Sequence, residues 1–241
     1  MNEGCCRPLG EAESPFFSKE AVLKKYESFK ALIEKRTTLS KPTYLEDFLR
    51  EANILKGQKV LEVGINPGYL AVYIAEIVGD EGKVALAQLD RIITADAKKT
   101  IEKYKVENVV QVVDAKIRKL PFSSSSFDRV LSDRTTSLLN RKSVLIKEMA
   151  RVANSRGKIV IADCISRKPF RKDQVEKFSK DFACVFQAAS IEEYVDIFEN
   201  SGLKAVKVIE FMDEECVRPH AKIKDKVKGH ICFAVIGGEK S

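Results

Sequence analysis

Apolar residues along this chain alternate between short continuous runs and stretches with helical spacing. The continuous runs predict buried strands, at Lys59–Val63, Lys83–Leu89, Val109–Val113, Phe127–Ser132, Lys158–Ala162, Ala205–Glu210 and Ile231–Ile236. The helical spacing predicts helices between most of them, at Tyr69–Val78, Arg91–Tyr104, Ser143–Val152, around Gln174–Phe186 and at Ile191–Ser201. Continuous apolar strands that alternate with helices are typical of an α/β fold, in which helices cover both faces of a parallel sheet.

The region before the first predicted strand has a different pattern. Residues 1–17 contain proline, glycine and acidic positions without periodicity, which indicates an irregular tail. Ser18 opens a helical pattern, and a second one covers about Thr43 to Asn53. The sequence therefore predicts a tail at 1–17, capping helices over 18–55 and the main domain over 56–241.

Composition and charge narrow the setting of the protein. The longest apolar runs are far shorter than the roughly 18 residues that span a bilayer, and the first residues lack a secretory pattern. We therefore expect a cytoplasmic protein with reduced cysteines and no membrane association. The six cysteines form no C-x-x-C pair, so no metal site is predicted.

The net charge of +7 comes partly from basic segments at 141–172 and 218–230. One interpretation is that these segments bind an anionic partner such as RNA. The other is that they are solvated surface, because acidic residues interrupt both segments and aromatic residues are not interleaved with them. The second interpretation is favoured, and RNA binding stays an alternative.

The turn after the first predicted strand carries the main chemical signal. It reads Glu62-Val-Gly64-Ile-Asn66-Pro-Gly68, and glycines at such a turn let the backbone approach a ligand closely. In an α/β sheet the ligand lies beyond the carboxyl ends of the strands, where the strand order reverses. The spacing differs from the dinucleotide motif G-x-G-x-x-G, which argues against NAD.

The turn instead resembles motif I of class I S-adenosylmethionine-dependent methyltransferases, V-L-[DE]-x-G-x-G-x-G. The resemblance continues in order through two later segments, Glu107–Asp133 and Val144–Ser166. It implies a Rossmann-like doubly wound seven-stranded sheet, mostly parallel with an antiparallel last strand, and S-adenosyl-L-methionine as cofactor. The cofactor-binding residues that it implies are Glu62, Gly64, Asn66, Gly68, Gln88, Asp90, Asp114, Lys116, Ile117, Ser132 and Asp133.

Several of these positions depart from the family pattern. Asn66 replaces the middle glycine of motif I, where its side chain is expected either to strain the turn or to crowd the cofactor. Gln88 stands where an acid normally accepts the ribose hydroxyls, and Asp90 is the candidate substitute. Lys116 occupies the position of the family's acidic residue near the adenine, and Asp114 lies two residues before it. Two explanations stay open: an active enzyme with shifted contacts, or a paralogue that keeps the scaffold without catalysis.

A narrower resemblance concerns the methyl acceptor. The segment Asp181–Val208 is similar to part of the arsenite methyltransferase-like (methyltransferase type 11) proteins, and Cys184 falls on a cysteine of that family. The resemblance implies Cys184, with Cys164 after a strand end, as contacts to a small-molecule nucleophile of arsenite type. The alternative for Cys184 is a buried apolar role, which is common for free cysteine. Another family cysteine is replaced here by Arg134. An RNA methyltransferase and a non-catalytic scaffold are the other hypotheses.

Overall fold

The computed structural model describes residues 44–178, 183–211 and 227–241. The strands, in chain order, are β1 (Lys59–Gly64), β2 (Lys83–Gln88), β3 (Val110–Asp114), β4 (Phe127–Asp133), β5 (Ala153–Ser166), β6 (Leu203–Phe211) and β7 (Ile231–Lys240). The helices are α1 (Tyr44–Ala52), α2 (Tyr69–Val78), α3 (Arg91–Lys103), α4 (Lys142–Val152), α5 (Lys172–Phe178), α6 (Ala183–Phe186) and α7 (Ile191–Glu199), with a 3₁₀ turn at Thr136–Leu138. The predicted tail and the predicted helix at Ser18 lie outside the described residues.

The strands form one sheet in the order β3-β2-β1-β4-β5-β7-β6. Neighbours from β3 to β5 are parallel, whereas β7 runs antiparallel to both β5 and β6. The predicted mostly parallel sheet with an antiparallel last strand is therefore confirmed. The strand order reverses between β1 and β4, and α/β proteins bind ligands beyond the carboxyl ends of the strands at such a reversal.

Strands β1 and β2 are buried along almost their whole length, since helices cover the sheet. Helix α1 packs on β5 and β7, with Tyr44 and Phe48 in the core. At its other end the Glu51 carboxylate pairs with Lys158 at 2.6 Å and Lys207 at 3.1 Å. Helix α1 therefore belongs to the same core as the sheet. In the described ranges, no helix has the length and apolar character needed to cross a membrane.

Most predicted boundaries agree with the structure to within a few residues, and two features differ. Strand β5 begins at Ala153, so residues 154–157, which lie between the predicted helix and the predicted strand, are part of an irregular strand. This irregularity has a local cause, because Arg156 has φ 64 and the pairing with β4 shifts register between Phe127 and Arg129. The helix predicted around Gln174–Phe186 corresponds to α5 and α6, and residues 179–182 lie outside the described part. Helix α7 is capped at its first turn, since Ser190 Oγ accepts a hydrogen bond from the Glu193 amide at 3.2 Å.

Candidate functional site

Three of the predicted site residues form a row across the carboxyl edge of the sheet. Gly64 of β1 pairs with Gln88 of β2, and Gln88 pairs with Asp114 of β3. On the other side of β1, a Cβ added at Gly64 would lie 3.9 Å from the Asp133 carbonyl oxygen of β4. The parallel register therefore brings the ends of four strands, from different parts of the sequence, to one edge.

Several polar side chains at this edge are fully buried. Glu62, Ser132 and Asp133 are at most 2% exposed. Glu62 Oε2 and Ser132 Oγ have no hydrogen-bond partner within the part of the chain that is described. Because an unpaired buried polar atom is costly, such atoms at a strand-order reversal indicate a place where a polar ligand binds.

Glu62 has an unusual electrostatic environment. Burial raises the pKa of its carboxyl well above the usual range, and the nearby Asp133 carboxylate raises it further. A positive group placed between these two acids would be stabilised by both of them. The pair therefore favours a cationic ligand group at the end of β1 and β4.

The raised pKa of Glu62 predicts a pH dependence of stability. Because ionisation of Glu62 is harder in the folded state, the folded protein retains a proton that the unfolded chain loses above its ordinary pKa of 4.5. The free energy of unfolding should therefore fall as pH rises from 4.5 through the raised folded pKa, by up to about 1.4 kcal/mol per pH unit. Glu62→Gln should remove this loss, as measured by urea denaturation from pH 4.5 to 8. Glu199→Gln, at an exposed position, is the control; parallel pH profiles for wild type and Glu62→Gln would contradict the prediction.

The side-chain amides of Asn66 and Gln88 hold the turn after β1. Asn66 Nδ2 donates to Glu62 Oε1, and Asn66 Oδ1 accepts from the Gly68 amide at 2.8 Å. The Gln88 side chain closes the turn, since Nε2 donates to the Asn66 carbonyl and Oε1 accepts from the Asn66 amide at 3.4 Å. Asn66 and Gln88 are each 1% exposed.

Gly68, not Asn66, occupies the left-handed conformation in this turn. Its φ is 90°, and a Cβ there would lie 3.2 Å from the Ala97 carbonyl oxygen of α3. Asn66 is not among the residues with positive φ. The backbone strain considered for Asn66 therefore does not arise, and its side chain fills the turn.

The other predicted cofactor residues lie along the neighbouring strand ends. Asp90 is buried just before α3, and Asp114 Oδ1 accepts from the Thr94 hydroxyl at 2.8 Å. Lys116 is exposed in the loop after β3, and Ile117 is half-buried against the core. Asp90 and Asp114 thus supply carboxylates close to Gln88, which itself supplies only a neutral amide.

A buried network behind the site could not be assigned a role from the sequence. The Asp163 carboxylate of β5 accepts from the Ser137 hydroxyl at 2.5 Å, the Ser137 amide at 2.8 Å, the Thr136 hydroxyl at 2.9 Å and the Cys164 amide at 2.8 Å. Tyr194 of α7 joins through a hydroxyl contact to Thr136 at 2.9 Å, and burial raises the pKa of Tyr194 well above its usual range. The signal for it in the sequence is the polar Thr-Thr-Ser run after β4. The network fixes the 3₁₀ turn that follows Asp133.

The residues predicted for the methyl acceptor lie on separate elements. Cys164 is buried near the carboxyl end of β5, and Cys184 is half-buried on α6, which packs on β5 and on the 3₁₀ turn. Arg134 has φ 48, and its guanidinium carbon lies 4.7 Å from the Tyr44 ring centroid and 5.4 Å from that of Phe233. A cation thus stands where the arsenite methyltransferase pattern has a cysteine.

Comparison with known proteins identifies the family to which this fold belongs. Residues 54–202 match the family described as methyltransferase domain. Among curated relatives, the ubiquinone/menaquinone biosynthesis C-methyltransferase UbiE of Coxiella burnetii is 26% identical over 145 residues, which are 60% of this chain and 56% of the relative. The chain thus spans about half the length of the curated relatives that it matches.

Solved structures show the same fold at low identity. Phosphoethanolamine N-methyltransferase 2 of Haemonchus contortus, solved with S-adenosyl-L-methionine, has a TM-score of 0.72 at 14% identity, over 93% of this chain and 57% of that chain. CrArsM, an arsenic(III) S-adenosylmethionine methyltransferase from Chlamydomonas reinhardtii, has a TM-score of 0.61 at 19% identity, over 77% of this chain and 64% of that chain. At these identities the likeness shows the fold alone.

The sheet order and the carboxyl-edge site define a class I methyltransferase fold, as the motif resemblance implied. The match over 54–202 covers more than half of the sequence. The chain therefore belongs to the methyltransferase-domain family.

Proposed function

We propose that this chain is an S-adenosylmethionine-dependent methyltransferase whose cofactor binds at the carboxyl ends of β1, β2, β3 and β4. The observation that carries the proposal is the buried polar cluster at the strand-order reversal, in which Glu62 Oε2 and Ser132 Oγ have no partner among the described residues. The family match over 54–202 supports a methyltransferase function.

The residues present fit such a cofactor by chemical type. Glu62 and Asp133 are acids that suit its cationic methionine part, and Gly64 and Gly68 allow close approach of the backbone. We assign the ribose hydroxyls to Asp90, because a carboxylate accepts hydrogen bonds from both hydroxyls more strongly than the neutral Gln88 amide does.

We assign the remaining predicted contacts by position along the edge. Asp114, Lys116 and Ile117 would border the adenine. Ser132 and Asp133 would flank the reacting end. Asn66 would lie in the turn beside the cofactor, without touching the adenosine itself.

When bound, the cofactor supplies a methyl group on a sulfonium, which a nucleophile displaces in line to leave a neutral thioether. The protein's task is to align the two reactants and to exclude water. The buried 3₁₀ turn after β4 would hold the wall of the reacting region in place through Asp163. A base is needed only where the acceptor must lose a proton.

We infer a small-molecule methyl acceptor, with Cys164 and Cys184 as candidate contacts if that acceptor is a soft ion such as trivalent arsenic. The cation at Arg134 instead favours an acceptor that carries an anionic group. A non-catalytic paralogue is the second candidate function, and the self-bonded turn of Asn66 and Gln88 is the observation that favours it.

Isothermal titration of the purified protein with S-adenosylhomocysteine tests the proposal. We expect a Kd of about 1–100 μM, which corresponds to roughly 5.5–8 kcal/mol of binding free energy. Asp90→Asn keeps the shape of the side chain and removes its charge, so it should weaken binding about tenfold. Asp80→Asn, at the exposed opposite end of β2, should change nothing.

Absence of binding heat and of thermal stabilisation at millimolar ligand would overturn the enzyme proposal in favour of the scaffold. Binding that is unaffected by Asp90→Asn would keep the enzyme but reassign the ribose contact.

A further inference from the structure

Two of the departures from the family pattern, one in motif I and one at the end of β2, are in contact with each other. Asn66 replaces a glycine and Gln88 replaces an acid, and 22 residues separate them in sequence. In the structure, the Gln88 amide bonds the backbone N–H and carbonyl of Asn66. The Asn66 amide in turn bonds Glu62 and the Gly68 N–H. We call these two side chains and their hydrogen bonds the amide latch.

The latch uses the groups that the turn would offer to a ligand. The N–H groups of Asn66 and Gly68 point to side-chain oxygens of the chain itself, and one oxygen of Glu62 accepts from Asn66. Both residues of the latch are buried, so these hydrogen bonds are shielded from competing water. A ligand that binds through these groups must first displace these hydrogen bonds.

We propose that the amide latch holds the turn in a closed state and that the cofactor binds only after the latch opens. This inference rests on the proposed function, since it concerns the same site. It changes the role of Gln88 from a ribose contact to a residue that opposes binding. The latch also bears on the choice between an active enzyme and a non-catalytic paralogue. A closed turn is compatible with an active enzyme in which the state that binds the cofactor is only a minor one.

The strength of the latch hydrogen bonds determines how far the latch lowers the apparent affinity for the ligand. Two buried hydrogen bonds of ordinary net strength favour the closed turn by about one decade or more in the closed-to-open ratio. The apparent affinity for a ligand falls by the fraction of competent protein. Breaking the latch should therefore raise affinity about tenfold, mainly through a faster association rate.

Two variants break the latch from opposite sides. Gln88→Ala removes both bonds to the Asn66 backbone, and Asn66→Gly removes the bonds to Glu62 and Gly68 and restores the family's glycine. Each should lower the Kd for S-adenosylhomocysteine about tenfold by titration calorimetry, with a matching rise in the stopped-flow association rate. Gln58→Ala is the matched control, because Gln58 also bonds a backbone amide, that of Leu55 at 2.9 Å, at the far end of β1. Its Kd should equal that of wild type.

Hydrogen exchange on the ligand-free protein provides a readout that is independent of binding. The Asn66 amide should exchange about tenfold faster in Gln88→Ala, and the Gly68 amide about tenfold faster in Asn66→Gly. Protection of both amides that stays unchanged would overturn the latch, whatever the affinities.

The sign of the affinity change separates the remaining outcomes. If wild type binds and Gln88→Ala binds more weakly, Gln88 is a direct contact and the latch is wrong, while the proposed function stands. Tighter binding by both variants supports the latch and leaves the proposed function standing. Binding by the variants alone supports a latch that stays closed in wild type, and it then favours the scaffold over the enzyme. Absence of binding by wild type and both variants overturns the latch and the proposed function together.

Discussion

Asp163→Ala should cost roughly 3–5 kcal/mol of folding free energy, a large part of the 5–15 kcal/mol that is typical of a domain. The substitution removes the acceptor of four hydrogen bonds and leaves the Thr136 and Ser137 hydroxyls and two backbone amides buried. Each unsatisfied buried donor costs about 1–3 kcal/mol, and partial relaxation keeps the total below their sum. Urea denaturation monitored by circular dichroism measures the loss.

A matched aspartate is available as the control for Asp163. Asp173 on α5 is exposed and pairs with Arg171 at 2.9 Å on the surface. Asp173→Ala should change stability by less than about 0.5 kcal/mol, because exposed ion pairs contribute little. Asp163→Asn keeps one acceptor oxygen and should fall between the two. A loss below about 1 kcal/mol for Asp163→Ala would show that the network does not hold the 3₁₀ turn.

Gly64→Ala should destabilise the protein by about 2 kcal/mol through overpacking at the motif turn. The added Cβ would lie 2.7 Å from the Thr135 Oγ1, which is closer than real Cβ contacts, and both residues are fully buried. Thr135 cannot move away freely, because its hydroxyl donates to the Asp133 carbonyl at 3.0 Å. The unfolding midpoint in urea is the measurement.

A second substitution tests the cause of this effect. Thr135→Ala alone should cost about 1 kcal/mol for the lost hydrogen bond. In the double variant Gly64→Ala/Thr135→Ala the clash is absent, since the next Thr135 atom is 3.8 Å away. The double variant should therefore be more stable than the sum of the single effects by about 1–2 kcal/mol. Additive effects would show that Gly64 is required for a reason other than contact with Thr135.

The parallel part of the fold could be predicted because its strands are buried on both faces. Continuous apolar runs located β1 and β2 to within one residue, and the alternation with helices predicted the layers. Strand β5 was predicted too short. Its first residues, Ala153 to Gly157, contain polar side chains and a left-handed Arg156, so periodicity gives no strand signal there.

The position of the candidate site could also be predicted from the sequence, whereas the hydrogen bonds within the site could not. Motif order placed Gly64, Gln88 and Asp114 at strand ends, and the register confirms that they are neighbours. The roles of Asn66 and Gln88 depend on side-chain conformations and on a contact across 22 residues, which a pattern of residue types does not encode. The assignment of each residue to a part of the cofactor stays a prediction.

The family of this chain is therefore shown, whereas the chemistry at the carboxyl edge of its sheet is a proposal. Membership of the methyltransferase-domain family follows from the match over 54–202. The methyl acceptor stays a proposal, in which Arg134 favours an anionic acceptor and Cys164 and Cys184 favour a thiophilic one. Substrate trials should therefore include anionic and thiophilic acceptors separately.

A crystal structure of the protein with S-adenosylhomocysteine would show directly whether this edge of the sheet is the cofactor site. We predict density for the ligand at the carboxyl ends of β1, β2, β3 and β4, with Asp90 on the ribose and the Gln88 amide turned away from Asn66. Ligand density at another surface, or a crystal at saturating ligand with the Asn66–Gln88 bonds intact and no ligand at this edge, would contradict the proposed site.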